Sequence, residues 1–286
     1  MRGLADAKRA LSGARFLLLA RCIPLCLAGL LAATPAAADD CRPARFDAEV
    51  SVRQVYDGDT VALADGRRLR FIGINTPERG REERPPEPLA EAARRFVAAR
   101  LPPGTRLKLS FDADREDRYH RLLAHPFLAD GTNLAAALIE AGLGFAIVVP
   151  PNGAFVSCYA AAEARARAAG RGIWAEPYYA PREATALGDS DAGFRLLRGR
   201  VKELRYGRRS FYLDLAPGVA VRLHARDQIH FRGYDLEALV GRTITVRGWL
   251  RRYRGRWRMP LRHPAMLSGW PRGAGAPEGE NPPASE

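Results

Sequence analysis

The sequence is basic, yet it contains little lysine, little cysteine and few histidines. Lys and Arg total 45 in 286 residues, and only Lys8, Lys108 and Lys202 are lysines. The four cysteines form no Cys-x-x-Cys pair, and the five histidines show no metal-ligand spacing. The sequence therefore excludes the common zinc and thioredoxin-type centres.

Long apolar runs are also scarce, and the one near the start is typical of a signal peptide. Basic residues precede the apolar stretch Phe16–Leu31, and the small residues Ala36–Ala38 follow it. Arg21 and Pro24 interrupt the stretch, which is shorter than the roughly 20 residues of a spanning helix. We expect residues 1–38 to be removed, giving a periplasmic or secreted bacterial protein without a stable membrane anchor.

The overall composition excludes a fibrous or wholly disordered chain. Hydrophobic residues make up 47% and charged residues 27%. The length favours two modest domains. The net charge of +13 is carried almost wholly by arginine, whose planar fork suits phosphate. A polyanionic partner and a simply solvated arginine surface both remain open.

Cys41 and Cys158 remain after the expected cleavage. An oxidising compartment favours a disulfide between them, and two free thiols are the alternative. The bridge would join the new N-terminal region to a helix expected after residue 157.

The segment 46–176 alternates short strands with turns and three helices. Asp-Gly pairs at 57–58 and 65–66 are hairpin signals. The patterns predict strands over 50–55, 60–63, 68–74, 106–112 and 121–128, and helices over 89–100, 133–141 and 157–170. We expect a mainly β fold with helices (α+β), in which a small closed sheet packs against the helices.

A linker over 177–193 separates this block from a second β block over 194–270. Strands are expected at 194–201, 210–215, 219–224, 243–250 and 257–261, with a helical insert at 235–240. Five short strands favour a second, smaller OB-like β-barrel. Residues 271–286 lack bulky side chains and are expected to be disordered.

Three segments combine carboxylates and arginines at strand ends and turns: Asp57–Thr60, Arg70–Glu78 and Asp117–Arg121. Taken singly, each suits ordinary turn chemistry with a salt-bridge cluster of Asp59 and Glu78 with Arg70 and Arg121.

Taken in order, these segments resemble the staphylococcal nuclease (thermonuclease) family. The resemblance extends through Asp130–Asn133, Ala141–Leu143 and Gly172–Trp174. It implies an OB-fold barrel of the staphylococcal-nuclease type, one bound Ca²⁺ and cleavage of phosphodiester bonds in DNA or RNA, that is, an endonuclease. A monomer is expected.

The resemblance also implies roles for particular residues. The metal positions fall on Asp59, Asn75 and the carbonyl of Thr76. The catalytic positions fall on Arg70, Glu78 and Arg121, and a substrate-binding tyrosine falls on Tyr119.

This assignment is chemically consistent. Two guanidinium groups and a hard cation with oxygen ligands can neutralise charge on a phosphate, while Glu78 takes a proton from the attacking water. The products would carry 3′-phosphates.

Three positions depart from the family pattern. Asn75 replaces an aspartate, which removes one negative charge from the metal set and makes the identity of the ion less certain. His120 replaces a turn glycine, and we interpret it as a surface residue with positive φ. Ile147 and Val149 stand at positions of nucleotide-stacking tyrosines, so base stacking there should be weaker.

In the second block, arginines alternate with aromatic residues over 198–212 and 251–258. Binding of single-stranded nucleic acid and a solvated strand edge are equally consistent with this pattern. For the whole chain, the alternatives to an exported nuclease are a non-catalytic nucleic-acid or protein-binding OB module and an extracytoplasmic structural protein.

Overall fold

Two sheets dominate the fold, and the first is a closed five-stranded barrel in the order β1-β2-β3-β6-β5. The computed structural model describes residues 41–80 and 85–271. All pairs in the barrel are antiparallel except β3 with β6, which is parallel. The barrel strands are Ala48–Val55 (β1), Thr60–Leu63 (β2), Arg68–Phe71 (β3), Arg106–Ser110 (β5) and Leu122–Phe127 (β6). The closed barrel agrees with the fold expected for this region.

A two-stranded ribbon and three helices pack against the barrel. The ribbon pairs Ile74–Asn75 (β4) with Phe145–Ala146 (β7). The helices are Ala90–Arg100 (α1), Leu134–Glu140 (α2) and Val156–Ala168 (α3). Barrel interior and helices share one buried core that includes Leu69, Phe71, Val97, Leu138 and Tyr159.

Local signals explain some boundaries and fail at others. The Asn133 side chain accepts a hydrogen bond from the amide of Ala136 and caps α2, as its type predicts. Ser157, expected to open the third helix, lies inside it, because α3 begins at Val156 after Phe155 in the left-handed conformation. The predicted strand over 68–74 is also wrong. It ends at Phe71, and Gly73 with φ 81° redirects the chain into β4.

The second sheet follows the order β10-β11-β12-β14-β13-β9-β8, with β15 paired to β13. As in the first sheet, one central pair, β12 with β14, is parallel. Its strands are Arg182–Glu183 (β8), Gly193–Arg200 (β9), Glu203–Gly207 (β10), Ser210–Ala216 (β11), Val219–His224 (β12), Thr243–Tyr253 (β13), Arg256–Pro260 (β14) and Leu267–Ser268 (β15). Its description as a second OB-like barrel stays a prediction.

Residues 177–193, expected as a linker, contain two 3-10 turns and the short strand β8. Tyr179 is buried, and its hydroxyl donates to the carbonyl of Pro88. The division into domains at these boundaries stays a prediction.

The core of the second sheet also contains residues from the first block. Phe145, Ile147, Val148 and Ile173 lie in it. A buried ion pair crosses the same junction, with Arg247 Nη1 2.6 Å from Glu163 Oε1. The described residues therefore form one packed body, which agrees with their membership of one compact unit.

A disulfide joins Cys41 to Cys158 on α3, with a Cα–Cα distance of 5.6 Å. In residues 41–80 and 85–271, no helix is both long and apolar enough to cross a membrane. The proposed signal peptide, residues 1–38, lies outside the described residues, as does the tail beyond Pro271.

Candidate active site

The Asp57–Gly58–Asp59 turn between β1 and β2 forms the base of the site. The amide of Asp59 donates to the Asp57 carboxylate at 2.9 Å and fixes the turn. A Cβ on Gly58 would lie 2.7 Å from the Cβ of Ala93 and 2.8 Å from Cγ2 of Thr76. Only glycine therefore lets this turn pack against both α1 and the Thr76 segment.

The carboxylate of Asp59 is buried and connects three parts of the site. Its Oδ2 accepts hydrogen bonds from the amide and hydroxyl of Thr76, both at 2.9 Å. The same oxygen lies 2.9 Å from Nη1 of Arg70. Asp59 thus holds the segment after β4 against β3.

The Arg70 guanidinium is held in a fixed orientation by the backbone. Nη1 donates to the carbonyl of Phe71 at 2.6 Å and Nη2 to the carbonyl of Ile74 at 3.1 Å. Its side chain is only 14% exposed. The sharp bend at Gly73 brings these carbonyls to one side chain, so the broken strand itself positions Arg70.

Negative charge exceeds positive charge around this turn. Burial raises the pKa of Asp57 to about 6, and repulsion from Asp59 and Glu78 adds to the rise, while Arg70 opposes it. Glu78 therefore lies close enough to Asp57 to act on its titration.

Asn75 and Thr76 follow each other at the end of β4, and Thr76 contacts Asp59. Asn75 ends β4 and pairs with Phe145 of β7. Both Asn75 and Thr76 are buried. In the described parts of the chain, no group of three or more His, Cys, Asp and Glu side chains could hold a metal. A metal here would depend on one carboxylate together with amide and backbone oxygens.

Glu78 lies on an exposed segment that is closed by Glu87. The amide of Glu78 donates to the Glu87 carboxylate at 2.9 Å, and the amide of Glu87 donates to the carbonyl of Glu78 at 2.9 Å. The Glu87 carboxylate also accepts from the Tyr178 hydroxyl at 3.2 Å and lies 3.8 Å from Arg195 Nη1. Residues beyond the first block therefore hold the segment that carries Glu78.

The sequence analysis missed Glu87, Tyr178 and Arg195. Their partners are distant in the sequence, and Glu87 stands in a Pro- and Glu-rich segment without a motif. The unusually polar composition of that segment is the only signal, and it does not identify a partner.

Arg121 directly precedes β6, the strand that pairs with β3. Arg70 pairs with Leu123 across the parallel β3–β6 ladder, and Arg121 precedes Leu123 by two residues. The alternation of side chains then puts both arginines on one face. We infer the shared face from this register, because Arg121 itself lies one residue before the start of β6 at Leu122.

Arg121 has a carboxylate partner, Asp117, and not Glu78. The Arg121 Nε donates to Asp117 at 2.8 Å. Partial burial raises the pKa of Asp117, but hydrogen bonds from the backbone and side chain of Arg121 bring it below its ordinary value. The salt-bridge cluster considered as an alternative is therefore present only in part. Arg70 pairs with Asp59, whereas Arg121 pairs with Asp117.

Tyr119 and His120 form the exposed tip beside Arg121. The Tyr119 ring is 62% exposed, and the guanidinium carbons of Arg118 and Arg121 lie 4.8 and 5.6 Å from its centroid. His120 has φ 58°, as expected for a surface turn residue, and contacts Glu116. The Tyr119 ring is accessible to a ligand, whereas His120 occupies the positive-φ position of the turn.

Ile147 and Val149, which stand where the family has nucleotide-stacking tyrosines, differ in burial. Ile147 is buried in the core of the second sheet, whereas Val149 is exposed. The second sheet therefore occupies the space next to Ile147, which accounts for an apolar residue there.

Comparison with known proteins identifies the first block. Residues 68–176 match the family described as Staphylococcal nuclease homologue. The thermonuclease of Staphylococcus intermedius is 33% identical over 126 residues, which cover 43% of this chain and 74% of that protein.

Two further relatives agree with this match. The thermonuclease of Staphylococcus hyicus is 31% identical over 126 residues, covering 43% of this chain and 73% of that protein. Endonuclease YncB of Bacillus subtilis (strain 168) is 30% identical over 135 residues, covering 46% and 63%. With its closed barrel and its linked motifs in order, the chain belongs to the staphylococcal nuclease family.

Proposed function

We propose that this nuclease is an exported, metal-dependent endonuclease that hydrolyses phosphodiester bonds of DNA or RNA through Arg70, Glu78 and Arg121. The observation that carries the proposal is the convergence of Arg70 and Thr76 on the Asp59 carboxylate at 2.9 Å, with Glu78 near enough to this turn to raise the pKa of Asp57. Export is inferred from the sequence of residues 1–38 alone.

The donor set fits a hard divalent cation such as Ca²⁺. Asp59 offers a carboxylate, Asn75 an amide oxygen and Thr76 a backbone carbonyl, and these are ligand types that Ca²⁺ prefers. All three residues are buried in the structure. When bound, the cation would supply electrostatic stabilisation of charge on the phosphoryl oxygens. With Asn75 in place of a carboxylate, we expect weaker binding of the ion.

Arg70 has donors suited to a phosphate. Of its five N–H groups, contacts within the described residues use those on Nη1 and one on Nη2. The Nε–H and the second Nη2–H lie on one edge, and that edge can bind two phosphate oxygens as a fork. Because the inner contacts fix the guanidinium, its orientation costs little entropy when substrate binds.

Arg121 would supply the second cation from the same sheet face. Its Nε and Nη2 contact Asp117, and Nη1 would be the group that binds the phosphate. Tyr119 beside it would contact the neighbouring nucleotide through its exposed ring.

Glu78 would act as general base. Its carboxylate takes a proton from a water molecule as that water attacks phosphorus, and the bond between phosphorus and the 5′ oxygen breaks. The departing 5′ oxygen takes up a proton from solvent. The products are a 3′-phosphate and a 5′-hydroxyl. The Glu87 hydrogen bonds limit the movement of the Glu78 backbone and so favour one position of the base.

Replacing Glu78 with Gln tests the proposal. We expect turnover of single- and double-stranded DNA and RNA to fall by 100-fold or more, because a general base typically contributes about 10²–10⁴-fold. Binding of the same oligonucleotides in the presence of EDTA should be unchanged. Glu116→Gln, an exposed carboxylate on the neighbouring turn, is the matched control. Equal turnover by the Glu78 variant and wild type would remove Glu78 from the mechanism.

Chelation tests the metal separately. EGTA should abolish turnover and added Ca²⁺ should restore it. Activity that persists in EGTA and is lost only in EDTA would indicate another divalent ion.

A further inference from the structure

The outer face of the second sheet concentrates arginines across five neighbouring strands. Arg205 of β10 is opposite Tyr212 of β11, which is opposite Arg222 of β12. On the other side, Arg258 of β14 is opposite Arg251 of β13. We call this surface the arginine face, and its members are Arg205, Tyr212, Arg222, Arg251, Arg256 and Arg258.

Residues between these positions point into the core, which confirms the direction of the face. Leu213, Val221, Trp257 and Met259 are all buried. Since side chains alternate along a strand, their neighbours in sequence point outward.

Positive charge on the arginine face is only partly neutralised. Arg205 pairs with Asp214 at 2.9 Å. Arg251 and Arg256 are exposed, and Arg251 is opposite Arg258 across the β13–β14 pair. Burial lowers the pKa of Arg258, and nearby Arg205 and Arg256 lower it further, against the effect of Asp214. The geometry and the crowding of like charge both indicate a polyanionic ligand.

Aromatic rings lie among these arginines. The guanidinium carbons of Arg205 and Arg258 lie 4.5 and 5.7 Å from the Tyr212 centroid. Tyr253, opposite Arg256, is 62% exposed. A cavity of about 340 Å³ opens at the edge of this surface and is lined in part by Lys202, Arg205, Arg256 and Arg258. Its volume accommodates a nucleotide-sized group.

We propose that the arginine face binds the backbone of single-stranded nucleic acid, with exposed aromatic rings stacking on bases. Arginine forks match phosphate oxygens, and the interleaved rings offer surfaces on which bases can stack. The choice of nucleic acid among possible polyanions rests on the proposed function, whereas the binding of a polyanion does not. It makes the second sheet a substrate-capture surface separate from the catalytic residues.

The test is binding of a fluorescein-labelled 30-nucleotide single strand by the full chain in EDTA, measured by fluorescence anisotropy. The variant carries Arg251→Ser, Arg256→Ser and Arg258→Ser. Each lost phosphate contact should weaken binding about fivefold at 0.1 M salt, giving on the order of 100-fold for three. The slope of log affinity against log salt should fall by about 2.

Two further variants keep the test decisive. Arg258 donates to the carbonyls of Gly218 and Trp257, so the double variant of exposed Arg251 and Arg256 alone is measured as well. It should bind about 25-fold more weakly. A charge-matched control replaces three exposed arginines of the first block with Ser: Arg45, Arg53 and Arg165.

The outcomes separate the two proposals. A loss confined to the arginine-face variants supports the inference, and unchanged affinity or an equal loss in the control overturns it. Stronger binding to vesicles of anionic phospholipid than to the oligonucleotide also overturns it. Hydrolysis of a trinucleotide in Ca²⁺, assayed in parallel, should be equal in wild type and variants. If wild type hydrolyses neither the trinucleotide nor the 30-nucleotide strand with Ca²⁺, Mg²⁺ or Mn²⁺ added, the proposed function fails while the binding result still stands.

Discussion

The buried ion pair between Glu163 and Arg247 should be the main electrostatic link between the two sheets. Each side chain is about 10% exposed or less. Arg247 Nη1 also donates to the carbonyl of Ala146 at 3.0 Å, and the Ala146 amide donates to Glu163 at 2.8 Å. Ala146 lies on β7 opposite Ile74, next to Asn75. The pair therefore supports the ribbon that carries a proposed metal ligand.

Arg247→Met removes the guanidinium and leaves the Glu163 carboxylate buried with one amide donor. Breaking a buried pair in this way costs about 3–5 kcal/mol in the free energy of unfolding. For a chain of this size, 1 kcal/mol corresponds to about 2–4 °C, so Tm should fall by about 6–20 °C. Thermal unfolding followed by circular dichroism, together with guanidinium titration, measures both quantities.

The double variant Glu163→Leu with Arg247→Met tests the reasoning. It removes both charges, so it should recover much of the loss and lie within about 1–2 kcal/mol of wild type. Arg165→Met, which breaks the exposed pair with Glu140, is the matched control and should cost less than about 1 kcal/mol. If the single and double variants lost the same stability, the uncompensated carboxylate would not be the cause.

Three further outcomes follow from other contacts. Glu87→Ala removes the acceptor of the Glu78 amide, so kcat should fall by about 10- to 100-fold with KM nearly constant. Glu87→Gln should restore part of the lost kcat. An unchanged kcat in the Ala variant would contradict a positioning role. Replacing Cys41 and Cys158 with Ser opens a loop of 117 residues. Guanidinium titration should then show a loss of about 5 kcal/mol, and a loss below about 1 kcal/mol would contradict the chain-entropy account. Burial, with a neighbouring histidine, lowers the pKa of His263 to about 4, below its unfolded value of 6.5. The unfolded chain therefore binds more protons between these values, so Tm should rise with pH from 4 to 6.5, and His263→Asn should flatten that rise; an equal slope would assign it to other groups.

Sequence reasoning succeeded where the signal is local. The Asp-Gly turns, the Asn133 cap and the positive φ of His120 follow from what those residue types do to their own backbone. The motif order also sufficed to identify the family. These features do not depend on what packs against them.

It failed where distant packing decides. The two-residue period suggested an unbroken strand through Ile74, but Gly73 approaches the Tyr159 ring so closely that a Cβ would overlap its Cε2 and Cδ2 atoms. The bend is thus set by a residue of α3, far along the chain. The strand β10 went unpredicted because the sequence around Arg205 and Tyr206 lacks an apolar alternation long enough to distinguish it from a turn.

For the candidate site, the sequence predicted which residues take part better than it predicted their hydrogen-bond and ion-pair partners. Asp59, Arg70 and Thr76 are in contact, but the acid that pairs with Arg121 is Asp117. Contacts of Glu87 with Tyr178 and Arg195 cross more than 90 residues, a separation at which charge patterns alone do not select partners.

The shared core has a practical consequence for anyone who wishes to isolate the nuclease region. The family match ends at residue 176, which invites truncation of the chain at that point. Such a fragment would expose the rings and methyl groups of Phe145, Ile147, Val148 and Ile173 to water. It should aggregate or lose the alignment of β7 with β4, so a useful shortened enzyme has to be trimmed at its ends and not in its middle.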